Sequence, residues 1–278
     1  MNVHPDYSKL EARLTELFES VSGYKSDEGG ILDSKFESQS KSMPWQSLLE
    51  LELAEYLIDL NLDVDSKDEG PDFQLKKPFG SDSIWLEAVC PKNGNDTPNG
   101  EVQIQQKSRT SLISAPLRDP DYERRLTAVL TEKARKYKGY LAREIVTPTD
   151  DCLIVVSTDE INTHYLPFEQ QRIASVLFNE SPVIEINRFG GSRRQDMGLF
   201  TKNGEPISCS FFDSNSFITG VVYKDRGDFV YFSPEYRAGI SLKDWITDSA
   251  VESSSSNSLS GEIDLENLQV EATKAIAE

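Results

Sequence analysis

The sequence predicts an α/β fold in which helices flank a mixed central β-sheet, and three patterns predict it. A continuous apolar run at 151–157 is too short for a helix and is typical of a buried central strand. Alternating runs at 73–75 and 84–88, joined by a loop with proline and glycine, predict two adjacent strands. The segments 44–60 and 122–141 repeat apolar residues at helical spacing. The expected order is therefore helix, hairpin, helix, strand.

Composition divides the chain into three parts. Residues 1–41 hold a predicted helix and a flexible polar linker. Residues 42–246 form the main domain, in which the runs 217–223 and 228–232 predict a second hairpin near the C-terminal end. Residues 247–278 are acidic and rich in serine, which predicts a disordered tail.

Bulk properties exclude several classes of protein. No stretch reaches the length of a membrane span and the N-terminus lacks the apolar run of a signal peptide, so we expect a cytoplasmic protein without a membrane partner. Three widely spaced cysteines predict free thiols. Two histidines leave little basis for serine–histidine or cysteine–histidine catalysis, and no phosphate-loop or dinucleotide motif is present. The net charge of −18 is unlike that of a non-specific nucleic-acid binder.

Two carboxylates lie on the predicted hairpin. Asp72 precedes its first strand and Glu87 lies across from it, inside a strongly apolar second strand. A lone charge in such a strand is costly unless something pairs with it. A divalent cation would pair with both acids, and hard Mg²⁺ or Mn²⁺ suits carboxylate oxygens.

The motif around these acids resembles a known family. Pro71-Asp72, followed about fifteen residues later by Glu87, is similar to the core motif of the PD-(D/E)xK nuclease superfamily, which has the restriction-endonuclease-like fold. The resemblance covers roughly residues 45–157. It implies that Asp72 and Glu87, with the carbonyl of Ala88, hold Mg²⁺ or Mn²⁺. It also implies hydrolysis of phosphodiester bonds in nucleic acid, with DNA as the expected substrate.

The sequence departs from the family at one position, because Val89 stands where the motif lysine should be. In several branches of the superfamily this lysine lies on the following helix, and the resemblance implies Lys133 in that role. Lys133 shares the apolar stripe of the predicted helix, whereas Arg135 and Lys138 point away. The alternative is a lysine that only reaches the helix edge.

Glu50 also lies on an inward-facing helix surface, because Leu53, Ala54 and Leu57 follow it at helical offsets. The resemblance implies that an acidic residue at this place joins the metal site. A boundary carboxylate paired with a lysine or arginine is the alternative.

Basic residues cluster in two segments that can contact nucleic acid. Their members are Arg124, Arg125 and Lys136 in the first segment, and Arg188, Arg193 and Arg194 in the second. The second is interpreted as a glycine-rich loop whose backbone amides and guanidinium groups approach phosphates. An exposed turn with ordinary surface arginines is the alternative.

The sequence is also compatible with two other functional hypotheses. Val89 and the acidic surface also fit a catalytically degenerate nuclease fold that serves as a binding or regulatory module, in a defence or mobile-element system. In the second alternative, Asp72 and Glu87 are ordinary hairpin residues of an unrelated α/β domain.

Overall fold

The computed structural model describes most of the predicted main domain. The described residues are 7–24, 32, 36, 40–66, 69–76, 82–92, 120–161, 169–179, 182–186, 192–196, 210–225 and 227–248. The helices are α1 (Tyr7–Ser22), α2 (Pro44–Asp59), α3 (Pro120–Ala142), α4 (Glu169–Phe178) and α5 (Phe211–Ser214), and residues 242–248 are also helical. The strands are β1 (Val64–Asp65), β2 (Phe73–Lys76), β3 (Ser83–Val89), β4 (Asp151–Val156), β5 (Pro182–Ile186), β6 (Ser192–Asp196), β7 (Gly220–Asp225), β8 (Asp228–Phe232) and β9 (Ile240–Ser241).

Seven of the described strands form one mixed sheet in the order β1-β2-β3-β4-β7-β8-β9. Its centre is parallel, since β4 pairs in parallel with both β3 and β7. The hairpin partners β2 and β8 pair antiparallel with β3 and β7, and the short strands β1 and β9 form the two edges. The structure therefore confirms the predicted α/β architecture with a mixed central sheet, and both predicted hairpins.

Helices cover both faces of this sheet because the strand residues alternate between two cores. In β3, Leu86 and Ala88 belong to the core that α1 and α2 cover. Trp85 and Val89 belong to the core that α3 and α4 cover. Alternation along the strand therefore turns Glu87 toward α3.

The second basic segment differs from the prediction. Arg193 and Arg194 lie in the strand β6, which pairs with β5 in a separate two-stranded sheet, so the prediction that they belong to a glycine-rich loop is wrong. The glycines before them suggested a loop, but backbone pairing with β5 extends the chain from Ser192 onward. Arg188 and residues 249–278 lie outside the described residues.

Two smaller expectations can also be compared with the structure. Cys90 and Cys152 are free and buried, as predicted. None of the described helices combines the length and the apolar character that crossing a membrane requires.

Candidate metal and phosphate site

The site begins where β2 stops beside β3. The last pair between these strands is Phe73 with Leu86, so the backbone of β3 continues past its neighbour. Two side chains pair with it there. Oδ2 of Asp72 accepts a hydrogen bond from the Ala88 N–H at 2.6 Å. Asp72 thus takes the place that a longer β2 would have occupied.

Gln46, on α2, is the second side chain at this strand end. Its Nε2 donates to the Ala88 carbonyl at 3.1 Å, and its Oε1 accepts from the Cys90 N–H at 2.8 Å. The same Nε2 lies 2.7 Å from Oε1 of Glu50, one helical turn further along α2. One amide therefore holds both the backbone of β3 and the inward-facing carboxylate of α2.

Glu87 is contacted by α3 across the pocket. Its Oε1 accepts from Nζ of Lys133 at 2.5 Å and from Nζ of Lys136 at 3.0 Å, and its Oε2 accepts from the Tyr140 hydroxyl at 3.2 Å. Lys136 and Tyr140 follow Lys133 by three and seven residues, so the three donors share one face of α3. The Glu87 and Lys133 side chains are 2% and 11% exposed, whereas that of Lys136 is 46% exposed.

A tyrosine fixes α3 against the sheet. The Tyr137 hydroxyl lies 2.9 Å from the Trp85 carbonyl on β3 and 2.8 Å from the Leu153 carbonyl on β4. Tyr137 is completely buried, so this contact is made away from water. These contacts fix the position of α3 on the sheet, and with it the position of Lys133 relative to Glu87.

These side chains line one pocket of about 510 Å³. The lining residues are Met43, Gln46, Glu50, Asp72, Glu87, Val89, Cys90, Pro91, Lys92, Arg125, Ala128, Val129, Glu132, Lys133 and Lys136. The structure thus brings together Glu50, Asp72 and Glu87, as well as Lys133, around one cavity. Val89, at the position of the motif lysine, lines the same cavity.

The electrostatics of the pocket centre on Asp72. Burial raises the pKa of the Asp72 carboxyl well above its ordinary value, and the carboxylates of Glu87 and Glu50 raise it further. Lys133 and the Ala88 N–H act in the opposite direction but do not outweigh these causes. The pocket therefore favours the protonated form of Asp72 more than water does.

At Lys136 a raised pKa favours the charged form, whereas at Asp72 a raised pKa favours the neutral form. Burial lowers the pKa of its ammonium, but the Glu87 carboxylate beside it raises that pKa by more. Lys136 therefore keeps its proton at neutral pH and places a lasting positive charge at the mouth of the pocket.

The oxygen donors of the pocket have the right chemistry for a hard cation. Carboxylate oxygens are the ligands that Mg²⁺ and Mn²⁺ prefer. Among the described residues, however, no three His, Cys, Asp or Glu side chains are grouped closely enough to hold a metal ion as they stand. Glu87 is engaged by Lys133 and Lys136 instead.

The basic residues predicted to contact nucleic acid divide into two groups. Arg125 and Lys136 line the pocket, and Arg124 is exposed on α3 without lining it. Arg193 and Arg194 lie in the separate β5–β6 sheet.

Sequence reasoning missed Gln46 and Tyr140 as members of the site, and assigned Lys136 only to nucleic-acid contact and not to Glu87. A spacing signal was available for all three. Gln46 precedes Glu50 by one helical turn, while Lys136 and Tyr140 follow Lys133 on the same helix face.

Comparisons of the chain with protein-family models, with curated proteins and with solved structures found no match. Function is therefore inferred below from the geometry and electrostatics of this pocket.

Proposed function

We propose that the chain is a metal-dependent nuclease with a restriction-endonuclease-like core, which hydrolyses phosphodiester bonds in nucleic acid, with DNA as the expected substrate. One observation carries the proposal: Glu50, Asp72 and Glu87 line the same pocket as Lys133, although they come from four separate parts of the fold. Ionisable groups are costly to bury, and their concentration around one cavity is typical of a functional site.

The carboxylates of this pocket fit a divalent ion in kind and in charge. Glu50, Asp72 and Glu87 would hold Mg²⁺ or Mn²⁺ with their hard oxygens. Burial and, after it, the neighbouring carboxylates raise the pKa of Asp72, and an added cation would offset both by stabilising its charged form. A bound ion of this type supplies a water of lowered pKa and a positive charge for the scissile phosphate.

Lys133 is the residue of this chain that takes the place of the motif lysine. Its ammonium group lies 2.5 Å from Glu87 on the pocket wall, whereas the apolar Val89 side chain can neither donate a hydrogen bond nor carry charge. In the proposed reaction Lys133 orients the attacking water and stabilises negative charge on the phosphate oxygens as it develops. In this proposal Gln46 is a positioning residue, because it holds Glu50 and the Ala88 carbonyl in place.

The test is DNA cleavage by purified protein in Mg²⁺, Mn²⁺ or EDTA. The variants Asp72→Asn and Glu87→Gln keep side-chain size, and each is expected to lower the cleavage rate by roughly 10²-fold or more. Glu55→Gln is the matched control, since Glu55 lies on α2 and contacts Arg13 away from the pocket. Thermal unfolding establishes that each variant is folded. Wild-type rates in either pocket variant would contradict the proposal.

A second candidate function is a nuclease-fold module that binds without cleaving. The engagement of Glu87 by Lys133 and Lys136 favours it, because two ammonium groups already compensate the carboxylate that a metal would need. Oligonucleotide binding with no cleavage in either metal, and no Mn²⁺ bound to the protein, would favour this candidate over the first.

A further inference from the structure

We infer that the pocket takes an extended single strand of nucleic acid, and that Arg125 holds a phosphate a few nucleotides away from the one that is cleaved. This inference rests on the proposed nuclease function and adds the form of its substrate. Arg125 lines the same pocket as Glu87 and Lys136 but lies at the other end of the α3 wall.

The spacing along α3 separates two phosphate contacts. Arg125 and Lys136 are eleven residues apart on this helix, which is close to three turns, so both face the pocket. At the rise of an α-helix their Cα atoms are roughly 16 Å apart. One phosphate cannot reach both positions, whereas a strand with regularly repeated phosphates can.

Arg125 is held at its end of the pocket by the chain that leaves β3. Its Nη1 donates to the Lys92 carbonyl at 3.2 Å, and Lys92 lines the pocket beside it. A half-buried arginine that is fixed in this way is better suited to phosphate recognition than a mobile surface lysine, because its planar donors keep their orientation.

The pocket lining combines charged and apolar side chains. Its apolar members are Met43, Val89, Pro91, Ala128 and Val129. A nucleic-acid strand likewise combines charged phosphates with sugars and bases that have apolar faces, so the lining offers partners for both. The pocket is also richer in basic groups than the chain: Lys92, Arg125, Lys133 and Lys136 balance Glu50, Asp72, Glu87 and Glu132. The whole chain has 29 basic and 47 acidic residues.

The size of the cavity favours a single strand over a duplex. A volume of about 510 Å³ is typical of a pocket that encloses a ligand. A paired and stacked duplex is too wide to enter a cavity of this volume, whereas one extended strand can.

The experiment measures binding of a labelled single-stranded oligothymidylate in EDTA, where no cleavage occurs, by fluorescence anisotropy over a range of salt concentrations. Each phosphate contact with a single strand contributes about 0.7 to the slope of log affinity against log salt. Arg125→Gln is expected to weaken binding several-fold and to reduce that slope by about 0.7. Arg135→Gln is the matched control, because Arg135 is exposed on the same helix and does not line the pocket.

Two further arms sharpen the result. A dinucleotide is too short to reach Arg125, so Arg125→Gln should bind it as the wild type does. A duplex of the same sequence should bind more weakly than the single strand, and an RNA strand with the same dependence on Arg125 would support the same phosphate contact.

The inference is overturned if the Arg125→Gln slope equals that of the wild type, if Arg135→Gln loses as much, or if the duplex binds as tightly as the single strand. Binding that depends on Arg125 without any cleavage in Mg²⁺ or Mn²⁺ would support this inference and contradict the nuclease proposal. Cleavage that is insensitive to Arg125 would leave the nuclease proposal standing and overturn the strand contact.

Discussion

Two buried lysines in this fold are paired with carboxylates in different ways. Lys224, on β7, contacts Glu52 on α2 and Asp159 after β4, the latter at 2.7 Å, so one ammonium serves two carboxylates. In the pocket, Lys133 contacts Glu87, and a second ammonium contacts the same carboxylate oxygen. The first cluster does not line the pocket, and the second forms its wall.

We interpret the Lys224 cluster as charge pairing that supports the fold, and the pocket arrangement as the pairing that the proposed chemistry would use. In the Lys224 cluster each carboxylate touches the cation that it needs. In the pocket, two cations share Glu87, while Asp72 accepts a hydrogen bond from a backbone N–H and Glu50 accepts one from an amide. Pairing for stability alone would place an ammonium between the carboxylates, as Lys224 does. In the Lys224 cluster two carboxylates share one ammonium group, whereas in the pocket two ammonium groups share one carboxylate.

The largest expected effect separates the two lysines by activity. Lys133→Met should lower the single-turnover rate of DNA cleavage in Mn²⁺ by roughly 10²–10³-fold, because it removes the charge that stabilises the transition state. Lys224→Met, which removes the same charge from a cluster outside the pocket, should keep the wild-type rate per folded molecule. Equal losses in both variants would show that the two clusters do not differ in function.

Stability should show the reverse order. Lys224→Met leaves two carboxylates without their cation, and breaking a buried pair in this way costs about 3–5 kcal/mol. The lower end is expected, since the Asp159 side chain is 45% exposed. Lys133→Met should cost less, because Lys136 and Tyr140 still contact Glu87. Urea denaturation of both variants measures the difference in the free energy of unfolding. A larger loss in Lys133→Met than in Lys224→Met would show that the pocket pair, and not the Lys224 cluster, supports the fold.

An intermediate effect tests the amide that holds the pocket carboxylate. Gln46→Leu should weaken Mn²⁺ binding by about 10–100-fold, the usual result of removing a group that orients metal ligands. Gln74→Leu, on β2, is the control and should leave the affinity unchanged. Electron paramagnetic resonance of free Mn²⁺ gives the affinity without any activity assay. Unchanged binding would mean that neither Glu50 nor the Ala88 carbonyl holds the ion, and tighter binding would mean that Gln46 competes with it.

The smallest effect is a dependence of stability on pH. Because the pKa of Asp72 is raised in the folded chain, its ionisation removes stability as the pH rises from the unfolded value of about 3.9 through the folded value. Asp72→Asn should therefore unfold at a temperature about 2–4 °C higher than the wild type at pH 7, with a smaller difference at pH 4. Mn²⁺ should stabilise the wild type more than the variant. An identical difference at both pH values would argue against the raised pKa.

Much of the fold could be predicted because its main elements have strong periodic signals. The apolar stripe of α3 and the continuous run of β4 each match one type of secondary structure, whereas α2 is apolar and buried on several sides, including the consecutive residues Leu48 and Leu49. The edge strands β1 and β9 have two residues each, which is too short for a periodic pattern. At β6, local glycines suggested a loop, but pairing with a distant strand decided the conformation.

The candidate site was predictable to the extent that it consists of charges on apolar faces. Glu50, Glu87 and Lys133 each interrupt a buried pattern, and the structure buries all three. The sequence could not show which positive charge compensates Glu87, because a lysine ammonium and a metal ion both stabilise a buried carboxylate. Helical spacing places Gln46 beside Glu50, but it does not show that the amide also pairs with the backbone of β3.

The way in which Asp72 and Gln46 occupy the place of a missing strand also bears on solubility. Backbone groups left open at a sheet margin recruit strands from neighbouring molecules. At Ala88 and Cys90 the side chains of Asp72 and Gln46 shield such a margin beside the pocket. A chain that lost both side chains would expose backbone donors and acceptors there, so the same loss would alter the pocket and also favour self-association.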